Sequence, residues 1–142
     1  MAITGFNGIP YEAGENVRPT MSIVGELAAQ AAITKGLFVK LVSDGKVNTQ
    51  DATVAGPVGI ALDAAASGAN ARVLIDGIGT VTVGTEVKIG DYVKVDANGK
   101  AAPATYGTDD IVGITLGGAA AGGVAVVMLK AIRKDTTTAG GA

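Results

Sequence analysis

The chain has 142 residues and a formal net charge of −2, with 48% apolar residues but only 4% aromatic ones and 22 glycines. No Lys/Arg run exceeds Arg133-Lys134, so the basic stripe that neutralises phosphates is missing and nucleic acid is not an expected partner. Cys and His are both absent, which excludes disulfide stapling, thiolate or imidazole metal sites, and Ser-His or Cys-His nucleophile pairs.

Residues 1–20 hold Gly5, Gly8, Pro10, Gly14 and Pro19, interspersed with Phe6, Ile9, Tyr11 and Val17. The glycines and prolines bar a helix or a long strand, and the apolar residues are too many for a purely solvated tail. This segment reads as an extended arm with apolar anchors. It has neither a basic start nor an apolar h-region, so no secretory signal is expected and synthesis in a cytoplasm is the default. Residues 22–33 have the composition of a short helix capped by Ser22, but their register against the repeat described next favours a strand.

The central feature is an ungapped duplication. Residues 35–75 lie over residues 89–129 at a constant offset of 54, with 14 of 41 positions identical. Gly36, Val39 and Lys40 face Gly90, Val93 and Lys94, and Asp44-Gly45-Lys46 faces Asn98-Gly99-Lys100. Val58, Gly59, Ile60 and Leu62 face Val112, Gly113, Ile114 and Leu116. Each unit offers the same succession of strands. A strand at Phe38-Val39 or Tyr92-Val93 enters a hairpin turn whose Gly supplies positive φ. A short strand at residues 58–62 follows, then a small-residue loop, then a buried strand at residues 72–75 or 124–129. Thr80 to Val83 alternates and reads as a strand between the units. Residues 135–142 form a polar tail expected to be flexible.

Fold class is therefore all-β: a compact small barrel or sandwich built from two tandem units, with residues 21–134 as one domain behind the arm. Ile111 to Leu129 carries no charge over 19 residues, long enough to suggest a membrane span. Its counterpart in the first unit contains Asp63 and Arg72, which are expensive in a bilayer, so no membrane partner is expected. A core made mostly of Ala and Val is thin, and self-association would relieve that.

No catalytic, cofactor or metal site emerges. Asp109-Asp110, the one adjacent acidic pair, reads as a solvated loop. Gly45-Lys46 and Gly99-Lys100 lack the Ser or Thr of a phosphate loop. Asp96, Ala97, Asn98 and Gly99 open like a calcium loop but have no closing acid. The repeated lysines Lys40/Lys94 and Lys46/Lys100 suit strand edges protected from mispairing.

The run Gly90-Asp-Tyr-Val-Lys-Val-Asp-Ala-Asn-Gly-Lys100, followed by Val112-Gly-Ile-Thr-Leu116, and its counterpart over residues 36–62, resembles the small tailed-phage head decoration (capsid cement) proteins. The resemblance runs over about residues 5–132 and includes the Pro/Gly-bearing arm. It implies a β-rich structural virion protein without enzymatic activity, bound to the outside of a phage capsid as a trimer, with the major capsid protein as partner. Such a protein would be made in the host cytoplasm and reside on the virion surface. The arm supplies the candidate capsid contacts, Phe6, Ile9, Pro10, Tyr11, Val17, Arg18 and Pro19. Two other functions fit the same composition: another assembly subunit (fibre, tail or surface layer), or a ligand-binding β-barrel.

Overall fold

The computed structural model describes residues 12–50 and 59–132. Its architecture is all-β, apart from one 3₁₀ turn at Pro19–Met21. In the first unit β1 (Ile23–Ala29), β2 (Phe38–Ser43), β3 (Lys46–Thr49), β4 (Gly59–Ala61) and β5 (Asn70–Asp76) form a closed barrel in the order β1-β3-β2-β4-β5. Residues 22–33 thus contain a strand, as their register against the repeat suggested, and no helix. The second unit contributes β6 (Ile78–Thr82), β7 (Tyr92–Val95), β8 (Ala101–Pro103), β9 (Ile111–Gly117) and β10 (Val124–Ile132) in the order β6-β10-β9-β7-β8. The apolar run from Ile111 to Leu129 is therefore two antiparallel strands joined by a turn. Among the described residues no helix is long and apolar enough to cross a membrane.

The two sheets repeat each other pair by pair. Val39 opposite Thr49 becomes Val93 opposite Pro103, and Leu41 opposite Val47 becomes Val95 opposite Ala101. Phe38 opposite Ile60 becomes Tyr92 opposite Ile114, and Ile60 opposite Leu74 becomes Ile114 opposite Met128. The bridge Ile33–Ala65 recurs as Val87–Ala119. The parallel pairing of Ala29 with Val47, which closes the first barrel, recurs as the bridge Val83–Ala101. The second sheet therefore closes in the same manner as the first. The equivalence also takes in β1 and β6, so the structural unit starts earlier than residues 35 and 89, the starts of the sequence match.

Both hairpin turns have the expected geometry, with φ of +69° at Gly45 and +79° at Gly99. A second pair of glycines recurs for a different reason. A Cβ at Gly59 would run into the carbonyl oxygen of Leu74, and one at Gly113 would lie 2.6 Å from that of Met128. Leu74 and Met128 are themselves 54 residues apart, so one close backbone approach has been kept in both units.

Strand alternation then sets the packing. The interior of the first barrel is Ala29, Ile33, Val39, Val47, Ala61, Ala71 and Val73, all buried. The equivalent buried set in the second is Val83, Val87, Val93, Ala101, Thr115, Ala125 and Val127. Sizes compensate between the two: Ala29 becomes Val83 while Ile33 becomes Val87, and Val47 becomes Ala101 while Ala61 becomes Thr115. Interiors this narrow hold Ala and Val without voids, which explains the scarcity of aromatic residues. The largest side chains lie between the barrels instead. Phe38, Ile60, Leu62 and Leu74 on the outside of the first barrel form one buried cluster with Val95, Val112 and the interior of the second, with Leu129 packed against it.

Candidate functional site

The predicted contact residues fall into two groups. Phe6, Ile9, Pro10 and Tyr11 lie outside the described residues, as does the tail 135–142. Val17, Arg18 and Pro19 belong to a segment laid against the body. The Gly14 amide donates to the Thr80 carbonyl (2.8 Å), the Thr80 amide to the Glu15 carbonyl (3.0 Å), and the Val17 amide to the Ile78 carbonyl (2.8 Å). The Thr80 hydroxyl accepts from the Glu15 amide (2.8 Å) and donates to the Glu12 carbonyl. Asn16 stands opposite Gly79 in an antiparallel bridge, and its Nδ2 donates to Ser22 Oγ (2.8 Å).

Residues 12–17 thus act as an added strand on the free edge of β6, and Val17 is only 8% exposed. This corrects the reading of residues 1–20 as a separable arm: the part from Glu12 onward belongs to the body. Sequence reasoning missed it because Gly14 looks like a helix and strand breaker. Its φ of +84° in fact steers the chain against Lys35 and Gly36. Arg18 is exposed, and with Met21, Ile78, Met128 and Lys130 it lines a surface groove of about 550 Å³.

Charged groups over the rest of the described surface serve turns and strands. The carboxylate of Asp96 accepts from the amides of Asn98 and Lys100 (2.8 and 3.0 Å), which accounts for the calcium-like run as a turn. Asp109 accepts from the Thr105 amide (2.8 Å) and stands 3.5 Å from Lys94, holding a loop in place. Among the described residues no cluster of three or more acidic groups is disposed to hold a metal ion.

Asp63 and Arg72 form a two-pronged pair. Arg72 Nη2 donates to Oδ1 at 2.8 Å, and both Nε and the Arg72 amide donate to Oδ2 at 3.0 Å. These bonds hold the Asp63 carboxyl down at about 2, against an ordinary 3.8, the guanidinium contributing most. A carboxyl depressed in the folded state stabilises it above pH 3.8, and that contribution is lost as pH falls through about 2. Both side chains are substantially exposed, so the magnitude is modest. Asp63→Asn is therefore expected to melt slightly below the parent at pH 5–7, and the gap should close between pH 4 and 2. A gap that persisted at pH 2 would mean that the charge pair is not its source.

Comparison with solved structures places this geometry. The N-terminal base of the head fibre gp8.5 of bacteriophage phi29 superposes with a TM-score of 0.62, covering 81% of this chain and 99% of that one at 16% identity. A chain from the capsid of the Myoviridae phage XM1 gives a TM-score of 0.63, covering 83% of this chain and 89% of that one at 22% identity. The chain shares the fold of these two phage proteins. No protein-family model and no curated protein sequence matches it.

Proposed function

We propose that this protein is a structural component of a phage virion, bound to the outside of the capsid and stabilising the shell, with no catalytic role. The observation that carries the reading is the two-barrel fold shared with the phi29 head-fibre base along nearly the whole of that chain. The XM1 capsid chain supports the same location. The partner is the major capsid protein, and the protein associates with itself as a trimer on the shell. Residues 1–11, with Phe6, Ile9, Pro10 and Tyr11, are the docking arm, and Arg18 and Pro19 of the body join the contact. A second reading, the foot of a head fibre, is favoured by what the phi29 structure is. Both readings place the protein on the head surface, and an image of the decorated particle would separate them by the presence of a projecting fibre.

The test is co-sedimentation with undecorated shells assembled from the major capsid protein of the same phage. Deleting residues 2–11 should leave the melting temperature of the free protein nearly unchanged and abolish shell binding. Deleting residues 2–20 should in addition lower the melting temperature, because the backbone bonds to Ile78 and Thr80 and the burial of Val17 are lost. Full binding by the shorter deletion would overturn the arm, and absence of binding by the intact protein would overturn the capsid reading.

A further inference from the structure

The offset of 54 permits a comparison of surfaces as well as strands. On the first barrel Phe38, Ile60, Leu62 and Leu74 make an apolar outer face that the second barrel buries completely or nearly so. The equivalent residues of the second barrel, Tyr92, Ile114, Leu116 and Met128, make the same kind of face, and all four are partly exposed. Tyr106 extends this face, its ring centroid 5.7 Å from that of Tyr92.

The covering surface has a twin of its own. The second barrel covers the first with Val95, Leu129, the strand β6 and the turn at Gly99. The Phe38 amide donates to the Gly99 carbonyl (2.9 Å), and the Leu129 amide to the Gly77 carbonyl (2.9 Å). On the first barrel the equivalents lie bare: Leu41 is 54% exposed where Val95 is 7%, and Ile75, the counterpart of Leu129, is 40% exposed. The Gly45 turn has open space about it, whereas a Cβ at Gly99 would lie 2.6 Å from Thr49 Cγ2. One end of the molecule thus shows the face that is covered inside it, and the other end shows the surface that does the covering.

We propose that copies of this chain join head to tail, the Leu41/Ile75 surface and Gly45 turn of one copy seating on the Tyr92/Ile114/Leu116/Met128 face of the next and reproducing the contact between its own two barrels. Such a heterologous interface closes into a ring or grows into a filament according to the rotation it imposes. The occupant is a second copy because the chain already contains both halves of the contact, made once internally. The inference deepens the proposed self-association but does not depend on the capsid as partner.

The experiment uses the full chain. Wild type should show concentration-dependent association in sedimentation equilibrium up to the limit of solubility. Met128→Glu, which disables one face, and Leu41→Glu/Ile75→Glu, which disables the other, should each be monomeric with near-normal melting temperatures. An equimolar mixture of the two variants retains one good contact and should yield a dimer and nothing larger. Since the chain has no cysteine, Gly45→Cys/Pro103→Cys gives an independent check. Gly45 and Pro103 are the equivalents of Gly99 and Thr49, and a Cβ at Gly45 meets nothing within its own copy, so these thiols meet only between copies and oxidation should produce a ladder of covalent oligomers. Wild type that stays monomeric at every concentration, variants that associate normally, or oxidation that yields only monomer would each overturn the head-to-tail contact. Shell binding is measured separately: its loss with association retained would count against the capsid reading alone.

Discussion

Gly59→Ala will destabilise the protein by about 3 kcal/mol or more, an effect out of proportion to one methyl group. The added Cβ would occupy the space of the Leu74 carbonyl oxygen, with the Leu74 carbonyl carbon and Ile75 Cα directly behind it. The obstacle is backbone, and this backbone belongs to β5, which is held on its other side by β1 through a ladder from Val24 to Ala28. Neither strand can retreat without opening the barrel. Thermal denaturation should register a fall of about 6–12 °C, taking 2–4 °C per kcal/mol for a chain near this size. Gly113→Ala meets Val127 Cγ1 at 2.5 Å and the Met128 oxygen at 2.6 Å, a looser fit. It should cost less than Gly59→Ala. A Gly59→Ala protein that melts with the parent would mean that β4 and β5 are not as close as described.

Phe38→Ala should cost about 3–5 kcal/mol, the usual range for emptying a fully enclosed aromatic site. Its repeat counterpart gives the contrast. Tyr92 occupies the same position in the second barrel but lies on the partly exposed face, so Tyr92→Ala in the free protein should cost no more than about 1–2 kcal/mol. Phe38 is fully buried among residues of both units, and its own amide donates to Gly99. The cavity would open at the junction of the two barrels, where neighbours from two closed sheets cannot collapse inward together. Chemical denaturation of both variants checks this. Similar losses at the two positions would show that burial between the barrels does not set the energetics.

The duplication made much of this legible from sequence. Asp44-Gly45 and Asn98-Gly99 announced their hairpins because only a residue tolerant of positive φ suits such turns, and the register of residues 22–33 against the repeat favoured the strand that β1 forms. Two things stayed hidden. The reason that Gly59 and Gly113 recur was one, because the backbone atoms that crowd them lie on another strand and no local pattern names them. The role of residues 12–17 was hidden too, since an added strand on β6 is specified by the free N–H and C=O groups of Ile78 and Thr80 rather than by any alternation of its own. The compact all-β barrel or sandwich built from two tandem units was legible as well. Periodicity identifies which residues face inward, whereas the details of closure depend on contacts such as Val83 with Ala101 that a linear pattern does not contain.

The placement of residues 12–17 has a mechanical consequence. They run antiparallel to β6 on one edge, and β10 runs antiparallel to β6 on the other, so β6 is clasped between two strands that point the same way. Tension applied through Glu12 and Ile132 would try to slide those two strands past β6 in opposite senses. That is a shearing load, shared at once by every bond along both ladders, unlike a peeling load that breaks bonds one after another. The described body would resist such a pull as a clamp, and single-molecule stretching between these two positions should show one abrupt release in place of gradual unravelling.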